Sequence, residues 1–181
     1  FDNQSKICLW NLARFAETFL KYIDKNEKNS INIIEEILIE YKEKFDHYWL
    51  NMMCKKLNLS NNQNNNELVN EFLDLMHIYK LDYTNTFIDL ENNNLDNKIF
   101  YNWLKKYSNS KKEKKNKINP FIIPRNHIIE SIIHETYNGN YKNLHEFNEV
   151  LQKPYNKDIV NKKYTKPPKE NEKVHQTFCG T

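Results

Sequence analysis

Six histidines and three cysteines are the residues that first invite a chemical reading. His127 and His134 stand seven positions apart, two turns of a helix. They share a face but are separated by about 10 Å along the axis, too far to chelate one ion by themselves. His134-Glu135 is followed by Thr136, Tyr137 and Asn138, so the H-E-x-x-H pattern of zinc hydrolases is missing, and no Cys-x-x-Cys pair occurs. Ordinary core or surface histidines are the favoured reading, and no metal ligand is expected. His47 and Cys54 are also two turns apart on one helix, which keeps a thiol and its base out of reach. Cys8, Cys54 and Cys179 are too few and too scattered for a secreted disulfide framework, and a reducing compartment is the default. Cys8 and Cys54 fall in apolar helical stretches, where a free cysteine behaves as a small hydrophobe.

Phosphate chemistry has one candidate. Arg14 and Arg125 are the only arginines in a lysine-rich chain, and Arg125 is flanked by Pro124 and Asn126. A guanidinium fork suits a bidentate carboxylate or phosphate contact. A structural ion pair is the favoured role for Arg125, an anion contact the other. The two glycines lie in no phosphate-binding loop, and neither G-x-x-x-x-G-K nor G-x-G-x-x-G is present. No catalytic or cofactor-binding residue is therefore assigned in this chain.

Against 27 basic residues stand 24 acidic ones, a net charge of +3, which is too balanced for a nucleic-acid partner. The run from Lys111 to Lys117, beside Ser108, Asn109 and Ser110, reads as a solvated loop. Aromatic residues recur at helical spacing among aliphatics, the pattern of core packing rather than base stacking. No apolar run approaches the length of a membrane span, and the expected location is cytoplasmic, or mitochondrial in a eukaryote. The sequence opens Phe1-Asp2-Asn3-Gln4 without Met, and reads as cut from a longer chain.

The elements behind these residues are helices throughout, so the fold class is all-α, with six to eight helices. Leu9, Leu12, Ala16, Leu20 and Ile23 form one face, and Phe15, Phe19 and Tyr22 a second, of a helix from about Lys6 to Ile23. The stripe Ile34, Ile37, Leu38, Tyr41, Phe45, Tyr48, Trp49, Met52 predicts a long helix from Asn32 to Leu57. Leu68–Tyr79 carries the third. A short fourth follows Thr84, whose hydroxyl is a potential cap. Ile99–Tyr107, Ile128–Tyr137 and Asn143–Lys153 carry the rest, with Gly139 as a left-handed helix stop. Val174–Phe178 is the only stretch with strand-like alternation. The expected core is Trp10, Phe15, Phe19, Ile37, Tyr41, Phe45, Trp49, Phe72, Met76, Trp103, Ile129, Ile133 and Leu151. The expected organisation is a helical region 1–108, a basic polar loop 109–118, a helical hairpin 119–154 and an extended tail 155–181.

Several blocks resemble the selenoprotein O family of protein adenylyltransferases, in family order. They are Phe1-Asp2-Asn3-Gln4 with Leu9-Trp10-Asn11-Leu12; Asp82-Tyr83-Thr84-Asn85-Thr86-Phe87; Asn119-Pro120 with Pro124-Arg125-Asn126-His127; and Tyr141, Leu144-His145-Glu146, Glu149-Val150-Leu151 and Pro154-Tyr155. The resemblance implies a late piece of a protein-kinase-like fold plus a family-specific helical extension at the C-terminal end. It implies an enzyme that moves AMP from ATP, with Mg or Mn, to hydroxyl side chains of protein substrates, its nucleotide and metal residues lying upstream of Phe1. Ile88 stands where many relatives carry Arg, and Phe121 where Lys is common. A cysteine near the end, Cys179, resembles the family's terminal position and implies a redox link to a cysteine upstream of Phe1. The alternative from the residues alone is a non-catalytic helical interaction scaffold.

Overall fold

The computed structural model describes residues 4–60, 65–112, 118–159 and 162–173. Among them are eight α-helices and no strand: α1 (Gln4–Glu17), α2 (Leu20–Ile23), α3 (Glu27–Lys56), α4 (Asn66–Ile78), α5 (Tyr83–Glu91), α6 (Asn97–Ser110), α7 (Asn126–Tyr137) and α8 (Lys142–Leu151). Three short 3₁₀ turns follow, the last at Glu170–Glu172. The all-α expectation holds. Val174–Phe178 and Cys179 lie outside the described residues. The chain divides into two compact units, Phe1–Met53 and Cys54–Thr181.

In the first unit the single helix expected from Lys6 to Ile23 is broken. The Thr18 hydroxyl donates to the Phe15 carbonyl at 2.7 Å, and the amides of Thr18 and Phe19 reach back three residues to Phe15 and Ala16. A threonine that bonds its own backbone in this way competes with the regular ladder. After α2 the chain turns on Asp24 and Asn26, whose side chains accept the amides of Asn26 and Lys28. Ser30 is fully buried, donates to Leu20 O at 2.7 Å and accepts from the Asp24 amide, tying α2 to the start of α3.

This unit overturns half of the expected core. Trp10, Phe15, Phe19, Ile37, Phe45 and Trp49 are exposed, with Phe15 at 62% and Trp10 at 59%. Only Ile34, Met53 and Ser30 are buried in residues 4–53, while Tyr41 is half-buried. Periodicity reports which face of a helix is apolar; it does not supply the surface that covers it.

The second unit builds its own interior. Phe72 of α4 touches Phe87 of α5 and Phe100 and Trp103 of α6, with ring centroids 5.2, 5.3 and 4.7 Å away. Trp103 donates its indole N–H to Leu68 O at 2.8 Å, so α4 and α6 are joined by packing and by a buried hydrogen bond. Leu57, Leu59 and Val69 are also fully buried in this unit. A second cluster joins α7, α8 and the tail through Ile122, Ile128, Ile132, Phe147, Val150 and Tyr164, with Ile129 and Leu151 packed against it. Ile133, expected in the core, points outward and is 42% exposed.

Helix ends explain how so glycine-poor a chain turns. Four helices close with a six-residue backbone motif in which the penultimate residue is left-handed: Asn58, Lys80, Asn93 and Gly139, with φ of 56°, 50°, 57° and 80°. The two bonds that define it are present each time, for example Leu59 N to Cys54 O and Asn58 N to Lys55 O after α3. Asparagine and lysine thus do work usually given to glycine, and Gly139 ends α7 as expected. Two boundaries differ from expectation. Thr84 is buried inside α5, which Asp82 caps instead by accepting the Asn85 amide at 2.9 Å. The loop expected over 109–118 starts after Ser110, because α6 continues to that residue.

Candidate functional site

The tightest polar constellation lies where α5 meets the entrance to α7. Asp82 precedes α5 with extended backbone, which aims its carboxylate at the first free amides of the helix. Arg125 holds the corresponding position before α7, also with extended backbone. The guanidinium clasps Asp82 with both forks, NH1 to Oδ2 at 2.7 Å and NH2 to Oδ1 at 2.8 Å. The arginine side chain is 8% exposed and the aspartate 20%. Asn85 joins the group by donating to Thr165 O at 3.2 Å, so the tail is bound to the same place. Thr86 donates to Asp82 O at 2.7 Å and fixes the turn.

Burial works to raise the Asp82 pKa. The hydrogen bonds from Arg125 and the Asn85 amide, with the arginine charge, outweigh it and hold the carboxyl below its ordinary value. The pair is thus ionised and geometrically complete. Arg125 spends its two terminal nitrogens on protein, and its Nε is buried without a partner. No face of the guanidinium is turned out toward a ligand.

A second constellation surrounds the end of α3. Lys56 lies over the rings of Phe87 and Tyr83, its Nζ 4.6 and 5.5 Å from their centroids. Burial lowers the Lys56 pKa and the nearby Glu91 charge partly restores it. Burial alone raises that of Tyr83. Asn119 is 2% exposed and donates to both Lys56 O at 2.9 Å and Glu91 Oε1 at 2.6 Å. It therefore joins the ends of α3 and α5 to the segment that leads into α7. Sequence reasoning assigned no role to Lys56 or Glu91. The signal for the others was local: Asp82 lies three residues before Asn85, the spacing of a cap, and Asn119 precedes a proline.

Two clefts open on this unit. One of about 580 Å³ lies between α7 and the tail, with Lys163, Lys166 and Lys169 facing Glu130, Glu135 and Glu172. The other, of about 790 Å³, lies beside Phe121, Pro154 and Tyr155. The first mixes both signs of charge evenly, so neither anions nor cations are selected. Among the described residues no group of three His, Cys, Asp or Glu is placed to hold a metal ion. His127 lines the first cleft, without a second histidine. No helix of the described residues is long and apolar enough to cross a membrane.

Comparison with known proteins gives a consistent set. A family model described as protein adenylyltransferase SelO matches residues 1–100. Proteins named protein nucleotidyltransferase YdiU match the whole chain. That of Clostridium perfringens is 34% identical over 198 residues, covering 100% of this chain and 40% of the relative. Those of Geobacillus kaustophilus and Pelagibacter ubique are 34% and 33% identical, each with 41% of its length covered. The chain thus spans about two fifths of the length of these curated relatives.

Proposed function

Because the chain belongs to the SelO family of protein adenylyltransferases, we propose that it forms the helical support region of a protein nucleotidyltransferase that moves AMP from ATP to hydroxyl side chains of protein substrates. The ATP and its Mg or Mn are placed in the part of the family's length that this chain does not span. The described residues support that placement. The one forked cationic donor suited to phosphate among its buried side chains, Arg125, is closed on Asp82. That closure is the observation on which the reading rests. Arg125, Asp82 and Asn119 then serve to tie Lys56, α5, the entrance to α7 and the tail together within the second unit, and no chemical step is assigned to them.

Calorimetric titration of the 181-residue chain with ATP and Mg tests the placement. No micromolar binding is expected. A defined micromolar site would move nucleotide binding into this chain, and Arg125→Ala would then show whether the pair opens to phosphate.

A further inference from the structure

Of the chain's two glycines, Gly139 follows an asparagine and Gly180 follows Cys179, so Asn138-Gly139 is the single Asn-Gly step. Such a step is where a peptide chain most readily attacks itself, because the backbone nitrogen after the asparagine has no neighbouring Cβ to hinder it. Here the space is open as well. A Cβ built on Gly139 would meet nothing within 4 Å, and Asn138 is exposed. The other helix stops built on asparagine differ. Asn58 and Asn93 are themselves the left-handed residues, and Leu59 and Asn94, which follow them, each carry a Cβ beside the nitrogen.

The end of α7 holds both the nucleophile and the leaving group. The leaving nitrogen, Asn138 Nδ2, donates to His134 O at 3.0 Å. The Gly139 N–H donates to Thr136 O at 3.0 Å, with the residue left-handed at φ 80°. The amides of Asn138 and Asn140 donate to Glu135 O at 3.1 and 3.0 Å. The Glu135 carboxylate in turn accepts from Asn143 Nδ2 of α8 at 2.7 Å, so the residue that receives the turn also ties it to the next helix. Attack requires Gly139 N to leave Thr136 O and the Asn138 side chain to leave His134 O. Both bonds lie at an exposed helix end, where local opening costs least.

We propose that Asn138-Gly139 is a self-modification site, guarded by the closed stop of α7, whose conversion irreversibly loosens the α7–α8 hairpin. When the stop opens, Gly139 N bonds to Asn138 Cγ, the Cγ–Nδ2 bond breaks, and ammonia leaves with the Gly139 proton. Water then opens the cyclic imide at either carbonyl, giving aspartate or isoaspartate. The step needs no oxidant, cofactor or second protein. Neither product rebuilds the stop. Aspartate replaces the donor to His134 O by a carboxylate, at the negative end of the helix and three residues from Glu135. Isoaspartate also lengthens the main chain by a methylene, so the amides of Gly139 and Asn140 no longer reach Thr136 O and Glu135 O together.

The 181-residue chain is aged in warm, mildly alkaline buffer, both folded and in concentrated urea. Peptide mapping reads the amide-to-acid mass gain at each asparagine, and an isoaspartyl methyltransferase with a labelled methyl donor reads isoaspartate. In urea Asn138 should convert faster than every other asparagine. In the folded chain it should convert at least about tenfold more slowly, the ratio that ~1.4 kcal/mol of closing free energy sets. Hydrogen exchange of the aged, folded chain should then show the Gly139 and Asn140 amides at least about threefold less protected than before ageing. Asn138→Gln, whose longer side chain closes its ring only slowly, should age without that change. Faster conversion of another asparagine in urea, or equal rates at Asn138 in the two conditions, overturns the proposal. So does converted chain with unaltered exchange, or the same loss of protection in aged Asn138→Gln.

Discussion

The two units of this chain carry the same signal in sequence and opposite outcomes in structure. In residues 54–181 the aromatic residues at helical spacing close on one another: Phe72, Phe87, Phe100 and Trp103 are each at most 1% exposed. In the first 53 residues an equally regular set, Trp10, Phe15, Phe19, Phe45 and Trp49, stands at 36% exposure or more. Composition does not separate them. The second unit has several short helices that close on two shared clusters, whereas the first has one long helix and a short broken one. Two rods share a single line of contact, and a rod with apolar residues all round has more surface than one neighbour can cover.

The largest effect that tests this contrast is at Trp103. Its ring contacts Phe72 and stacks on Tyr107 at 4.7 Å, and its N–H is bound to Leu68 O. Trp103→Ala removes a fully buried side chain and leaves a cavity, for an expected loss of about 3–5 kcal/mol in urea unfolding. A loss under about 1 kcal/mol would mean that the second unit lacks the interior described.

How much of this was open to sequence reasoning follows from the same contrast. Helix identity was legible throughout, because 3.6-residue periodicity and caps are local. The core was legible only where other helices pack on the apolar face: Phe72, Met76 and Trp103 were correctly placed inside, Phe15 and Trp49 were not. The Asp82–Arg125 pair spans 43 positions. Each half was visible, the aspartate as part of a block before a helix and the arginine as an exception among lysines, but nothing local states that they meet. The helix break at Thr18 depends on one hydroxyl choosing the Phe15 carbonyl, which periodicity cannot register.

An intermediate effect is expected at that pair. Arg125→Ala strands a mostly buried carboxylate and should cost about 2–4 kcal/mol, discounted for the partial exposure of Asp82. Asp82→Asn keeps a residue able to cap α5 but gives up the charge pairing, and should cost less. The pH dependence has a definite sign. The Asp82 carboxyl is held below its ordinary value of 3.8, so its contribution is fully present above that value and is lost as pH falls through it toward the folded-state pKa. Acid titration of stability should therefore be steeper below about pH 4 for the native chain than for Asp82→Asn. Parallel curves would show that the pair is not ionised as described.

The smallest effect sharpens the comparison most. Phe15→Ala removes the same ring that Phe72 and Phe87 place in the core, yet here the ring is 62% exposed and keeps one aromatic neighbour, Phe19. The lost edge-to-face contact is worth about 0.5–1.5 kcal/mol when buried, and less with water on one side. Alanine returns about 0.5 kcal/mol through its better helix propensity. The two nearly cancel, so the unfolding free energy of the 181-residue chain should change by less than about 0.5 kcal/mol in either direction. The same substitution at a ring enclosed by protein leaves a cavity and costs about 3–5 kcal/mol. Denaturant unfolding of Phe15→Ala beside Trp103→Ala thus reads the covering surface directly. A Phe15 loss that approaches that of Trp103 would mean that the α1 stripe is already covered in solution by something within this chain, and the distinction between the two units would collapse.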